Sequence, residues 1–108
     1  MAQHFIEVKG REYKEIGPGV IAKVICGEHL MLSFVEFLEG GNMQIHSHPE
    51  EQTGIVLEGE IEFIIDKEAR SLKAGDSYLI PPHVPHGAKS KGRARVLDIF
   101  SPPRKDYL

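Results

Sequence analysis

The chain reads as a single all-β domain closed into a barrel or a sandwich, and three observations carry that reading. Short apolar runs recur along its 108 residues, broken by glycine and proline turns at the roughly 8–12-residue spacing of sandwiches and barrels. Where these runs alternate, they do so with the two-residue period of a strand. No apolar pattern of helical period continues beyond one or two turns. A closed or doubled sheet also shortens the free edges that a lone antiparallel sheet would expose.

Each element follows from its own stretch. "VIAKVIC" and "LMLSFVEFL" are separated by Gly27, Glu28 and His29, which predicts a hairpin. "TGIVLEGEIEFIID" holds two strands with a turn at Glu58-Gly59-Glu60. In the second strand Ile61, Phe63 and Ile65 share one face, and Glu60, Glu62 and Asp66 share the other. "ARSLKAGDSYLIPP" gives a short strand, a turn at Ala74-Gly75-Asp76, and another strand stopped by two prolines. "RARVLDIF" is the last strand, closed by Pro102 and Pro103, and "RKDYL" reads as a tail. There is no internal repeat, low-complexity tract or linker. Residues 1–108 are expected to form one domain, long enough to bury a core and too short for two.

Composition removes several function classes. The formal charge is −3, and the basic residues are scattered, so no nucleic-acid surface is expected. The densest basic stretch, Lys89 to Arg95, is interrupted by Gly92 and Ala94 and reads as a solvated loop. Cys26 is the only cysteine, so no intramolecular disulfide can form. Lying in "VIAKVIC", it is expected to be a small buried hydrophobe. The opening "MAQHFIEVKG" lacks the basic start and apolar stretch of a signal peptide. No segment reaches the roughly 20 apolar residues of a membrane span. A cytoplasmic protein with no membrane partner is the expectation.

The chemistry gathers around "GGNMQIHSHPEEQTGIVLEG". Residues two apart on a strand point to one face, so His46 and His48 are expected to project together. A short loop, "PEE", can bring Gln52 back towards the same point. Past the strand that Pro81 and Pro82 terminate, "GDSYLIPPHVPH" offers a third imidazole at His86. Imidazole and amide ligands suit a divalent metal and leave zinc, nickel, manganese and iron all open. Two histidines alone could equally be exposed or satisfied polar residues. His4 and His29 read as structural, Glu50 and Glu51 as part of a solvated loop, and His83 as a non-ligand at the cavity mouth.

These residues carry a resemblance. Gly40, His46, His48, Gln52 and Gly59 resemble the first cupin motif, and Gly75, Pro81 and His86 resemble the second, over residues 40–90 in register. The resemblance implies a double-stranded β-helix (jelly-roll) barrel with His46, His48, Gln52 and His86 around an internal divalent metal. The chain departs from the pattern in three places. Gln52 stands where a glutamate ligand is usual, His83 where a glycine follows the first proline, and Ser90 where the second motif closes on asparagine. Three imidazoles and an amide are all neutral, so the metal would keep its full charge, favour an anionic ligand and polarise a bound oxygen. That differs from the two-histidine, one-carboxylate set of iron oxygenases.

In "RVLDIFSPPR", Asp98 and Phe100 share one strand face. A carboxylate on a core face costs several kcal/mol unless paired or used. Two readings follow: Asp98 belongs to a reacting site, or it pairs with Arg104 at the barrel rim. "HSHPEEQ", "GDSYLIPPHVPHG" and "LDIFSPPRKDYL" together resemble the pectin-degradation cupins, the KdgF family, over residues 40–108. That resemblance implies conversion of 4,5-unsaturated uronates from pectin or alginate breakdown into linear ketouronates. Asp98 would act as acid and base, Arg104 would clamp the sugar carboxylate, and Phe100 would line the substrate site. It also implies a homodimer, to which "FIEV" near the start would contribute. A metal-dependent cupin dioxygenase and a non-catalytic sugar- or anion-binding cupin remain the alternatives.

Overall fold

The computed structural model describes residues 4–108, and among them ten strands and one short 3₁₀ turn account for the regular structure. The strands are β1 (Lys14–Gly17), β2 (Val20–Cys26), β3 (Met31–Phe37), β4 (Asn42–His46) and β5 (Glu51–Glu58). They continue as β6 (Glu60–Ile65), β7 (Glu68–Lys73), β8 (Ser77–Ile80), β9 (His86–Ser90) and β10 (Ala94–Ser101). The 3₁₀ turn covers Lys105–Tyr107. Two antiparallel sheets face each other, one ordered β1-β2-β3-β10-β5-β8 and the other β4-β9-β6-β7. The expected all-β jelly roll is the fold observed.

Alternation builds the core. In β3 Met31, Ser33, Val35 and Phe37 are buried, and in β10 so are Ala94, Val96, Asp98 and Phe100. Register keeps these inward rows aligned, with Asp98 opposite Ser33 on one side and Gly54 on the other. The facing sheet supplies Ile61, Phe63 and Ala88, which close the interior against Val35, Phe37, Val56 and Val96. The hairpin at Gly27 forms as expected, its N–H donating to the Leu30 carbonyl at 2.8 Å. The turn at Gly59 also forms, but it carries the chain from one sheet to the other instead of closing a paired hairpin. Gly59 has φ of 81°, and a Cβ there would strike the Arg93 carbonyl and Ala94.

Three expectations are corrected. Cys26 is exposed, because β2 runs past the core and Cys26 is its last residue. Glu50 does not sit in a solvated loop: its side chain is 14% exposed and lies 3.4 Å from His48 Nδ1. "RKDYL" is not a tail. Arg104 and Tyr107 are buried, and the Tyr107 ring meets Phe100 edge-on at 5.7 Å. The last residues therefore close one end of the barrel. Truncating Tyr107 to alanine would remove most of that plug, so Tyr107→Ala is expected to cost about 3 kcal/mol in urea unfolding. A change under about 0.5 kcal/mol, the usual size for a surface position, would show the segment to be an appendage.

Candidate metal centre and its carboxylate

Three strands and the loop after β4 bring the expected ligands together. His46 ends β4, Gln52 is the second residue of β5 and His86 opens β9. His48 lies just past β4, not on a strand as its spacing predicted. His46 and His86 are cross-strand partners, so sheet register and not sequence proximity makes that pair. His48 is held from below by the N–H of His83, which donates to the His48 carbonyl at 2.8 Å. His83 itself is exposed, with φ of 68°. The ring centroids of the three candidate ligands lie 4.4 to 5.6 Å apart.

The hydrogen bonds decide which nitrogen of each ring faces inward. His46 Nδ1 lies 2.8 Å from the Gln44 carbonyl, His48 Nδ1 lies 3.0 Å from that of Glu50, and His86 Nδ1 lies 2.8 Å from that of Val84. A carbonyl can only accept, so each Nδ1 carries the hydrogen and each Nε2 presents a lone pair. Backbone carbonyls thus perform the orienting role that metal-binding histidines require. Two consequences point to a cation. His86 Nε2 is buried without a hydrogen-bond partner. His48 Nε2 lies 3.1 Å from Gln52 Oε1, two acceptors facing each other with no proton to share. The ligand atoms of the three histidines all lie within 4.8 Å of one another. These residues fit a divalent metal, and burial, which holds His86 down to about 4 and also lowers His48, keeps those two imidazoles neutral as ligands must be.

Beside this cluster lies Asp98, buried and with its Oδ1 accepting a 2.5 Å hydrogen bond from the Tyr78 hydroxyl. Burial raises its pKa to about 6, against the opposing pull of Tyr78, the Gln52 amide and Arg104. The rim ion pair between Asp98 and Arg104 is not formed. Arg104 instead meets Asp106 through Nη2 at 2.8 Å and Nε at 3.3 Å, and donates from Nη1 to the Tyr107 hydroxyl at 2.9 Å. Its guanidinium lies over the Tyr107 ring at 3.9 Å and the Phe100 ring at 5.3 Å. His46, Gln52, His86, Asp98, Phe100, Arg104 and Tyr107 all line one cavity. Tyr78 and Tyr107 went unnoticed in the sequence. A signal existed for the first, since a glycine inside a strand, Gly54, marks a close approach. Tyr107 had none beyond its place in an unremarkable ending.

If the four side chains hold a metal, elemental analysis of protein purified without chelator will find near-stoichiometric divalent cation. A His48→Ala, His86→Ala double variant will lose it. Metal-free wild-type protein, able to take up none on titration, would contradict the assignment.

Residues 33–100 match the family model described as a cupin domain. Over its full length the chain is 35% identical to the pectin degradation protein KdgF of Dickeya dadantii, covering 100% of each. A KdgF structure from Halomonas sp. superposes with a TM-score of 0.90 at 31% identity, over 99% of this chain and 100% of that one. An RmlC-like cupin from Shewanella frigidimarina gives 0.93 at 33% identity, over 99% and 97%. This chain belongs to the cupin-domain family, in the branch that holds the pectin degradation protein KdgF.

Proposed function

We propose that the protein is a metal-dependent isomerase that opens cyclic 4,5-unsaturated uronates to linear ketouronates. The observation that carries this is the shared cavity, which sets the imidazoles of His46 and His86, one buried carboxyl group and one buried guanidinium within a single space. The kinship with a pectin degradation protein supports the substrate class. His46, His48, His86 and Gln52 would hold the cation. When bound, it supplies a positive charge that holds sugar oxygens and stabilises developing enolate charge.

The reaction balances as an isomerisation. The hemiacetal hydroxyl loses its proton, the bond from the anomeric carbon to the ring oxygen breaks, and an aldehyde forms. The ring oxygen takes up a proton and becomes the hydroxyl of an enol beside the carboxylate. That hydroxyl then loses a proton, and the far carbon of the double bond gains one, which leaves a ketone. Asp98 is the group that takes and returns these protons. Arg104 has five N–H donors, of which three are engaged with Asp106 and Tyr107, leaving two. Two are what a bidentate grip on one sugar carboxylate uses. Phe100 gives the ring a flat wall. The enclosed space is about 30 Å³, room for about two waters, so the ring is admitted only as lining side chains shift outward.

Two variants test the roles against each other. Asp98→Asn is expected to lower kcat by roughly 10²–10⁴-fold with the fold intact. Arg104→Lys keeps the charge but loses the fork, and is expected to act mainly by raising KM. The ultraviolet absorbance of unsaturated galacturonate gives the rate, and a melting curve run beside it gives the stability. Full activity in Asp98→Asn would sink the mechanism, and oxygen uptake in place of isomerisation would favour a dioxygenase.

A second copy of the chain is the partner we place on the outer face of the larger sheet. There Ile55 and Leu57 on β5 and Leu79 on β8 are exposed, and Leu97 on β10 lies directly across from Ile55. A two-fold pairing of identical patches would cover such a face. Sedimentation is expected to show a dimer that Leu79→Glu converts to monomer. A wild-type protein monomeric at tens of micromolar would remove the proposal.

A further inference from the structure

The phenol of Tyr78 sits where no substrate need touch it, yet it holds the one carboxyl group in the cavity. Tyr78 projects inward from β8, packs its ring on Phe63 at a centroid distance of 4.2 Å, and donates to Asp98 Oδ1. The two residues are 20 positions apart in the chain and sit on strands that do not pair. β5 lies between them, with Gly54 opposite Tyr78 on one side and opposite Asp98 on the other. A Cβ at Gly54 would strike both the Tyr78 hydroxyl and Asp98 Oδ1. The contact therefore reaches across an intervening strand, through a gap that only a glycine leaves open.

We infer that Tyr78 is a positioning residue for Asp98, with Gly54 as the opening through which it acts. The hydroxyl engages Oδ1 and, together with the Gln52 amide that also bonds the carboxyl group, stops the carboxyl plane from turning, so the oxygen that Tyr78 does not bond is the one placed to exchange a proton with a substrate. Terminal torsions of aspartate are broad and otherwise poorly restrained. A proton-transfer group must be held within hydrogen-bond reach of one reacting atom. Tyr78 supplies that restraint without facing the substrate. This inference rests on the proposed role of Asp98 in the isomerisation.

Tyr78→Phe keeps the ring stacked on Phe63 and deletes only the hydroxyl. On unsaturated galacturonate its kcat is expected to fall about tenfold, the worth of one hydrogen bond, with KM within about twofold and metal content unchanged. Gly54→Ala keeps both functional groups and wedges them apart, so it should reproduce the loss even if Tyr78→Phe folds poorly. The double variant should fall little further than either single one, because both break the same contact. A merely structural Tyr78 would lower the melting temperature and leave kcat of the folded protein unchanged. If Asp98→Asn is inactive while Tyr78→Phe keeps full kcat, or if the Gly54→Ala loss adds in full to that of Tyr78→Phe, this inference is overturned. If Asp98→Asn is itself fully active, the isomerase reading falls first and this one with it.

Discussion

A carboxyl group occupies a place in β10 where strand alternation otherwise puts apolar side chains, between Val96 and Phe100 on the inward face. Removing a carboxylate from water costs several kcal/mol, and proteins meet that cost with hydrogen bonds or by keeping the group neutral. Both responses are visible here. Tyr78 donates to Oδ1, and burial moves the group up to about 6. Much of the surrounding architecture accommodates this one residue. Gly54 gives up its side chain, Tyr78 turns its hydroxyl inward, and Gln52 sets its amide between the carboxyl group and the imidazoles.

The histidine cluster is shaped by a quieter constraint. Each ring is fixed by a carbonyl two residues away, Gln44 for His46, Glu50 for His48 and Val84 for His86. Backbone carbonyls therefore select the tautomer of each ring, and at His48 the Glu50 carboxylate, 3.4 Å from the same Nδ1, adds to that selection. With neutral ligands and no carboxylate among them, the positive charge of a bound cation would be offset within the protein only by groups outside the ligand set, Asp98 in the cavity and Glu50 beside His48. Arg104, stacked on Tyr107 and braced by Asp106, adds a second positive group on the same wall.

How much of this was legible in the sequence depended on the range of the interactions. Alternation within one strand gave the inward faces of β6 and β10, and the shared face of Asp98 and Phe100, correctly. Turn residues gave Gly27, Gly59 and Gly75. Motif spacing gave His46, His48, Gln52 and His86; the three histidines lie together, and Gln52 Oε1 sits 3.1 Å from His48 Nε2. What escaped was set by tertiary packing. β9, "HGAKS", has too little apolar pattern to read as a strand and is one only because β4 and β6 flank it. Cys26 kept the parity of the core but overran its end. "RKDYL" reads as solvated because its charges dominate, although Arg104 is buried with its guanidinium over two aromatic rings.

In the proposed reaction a single buried carboxyl group moves protons on one face of an unsaturated uronate without redox chemistry. Running the reaction on unsaturated galacturonate in deuterium oxide, and reading the product by proton and deuterium magnetic resonance, tests it most directly. One deuterium is expected on the carbon next to the new ketone, delivered to a single face, with no oxygen consumed. Turnover that leaves equal amounts of both deuterated stereoisomers at the earliest times would mean that the enol is released and ketonises in solution, and would contradict a positioned proton donor.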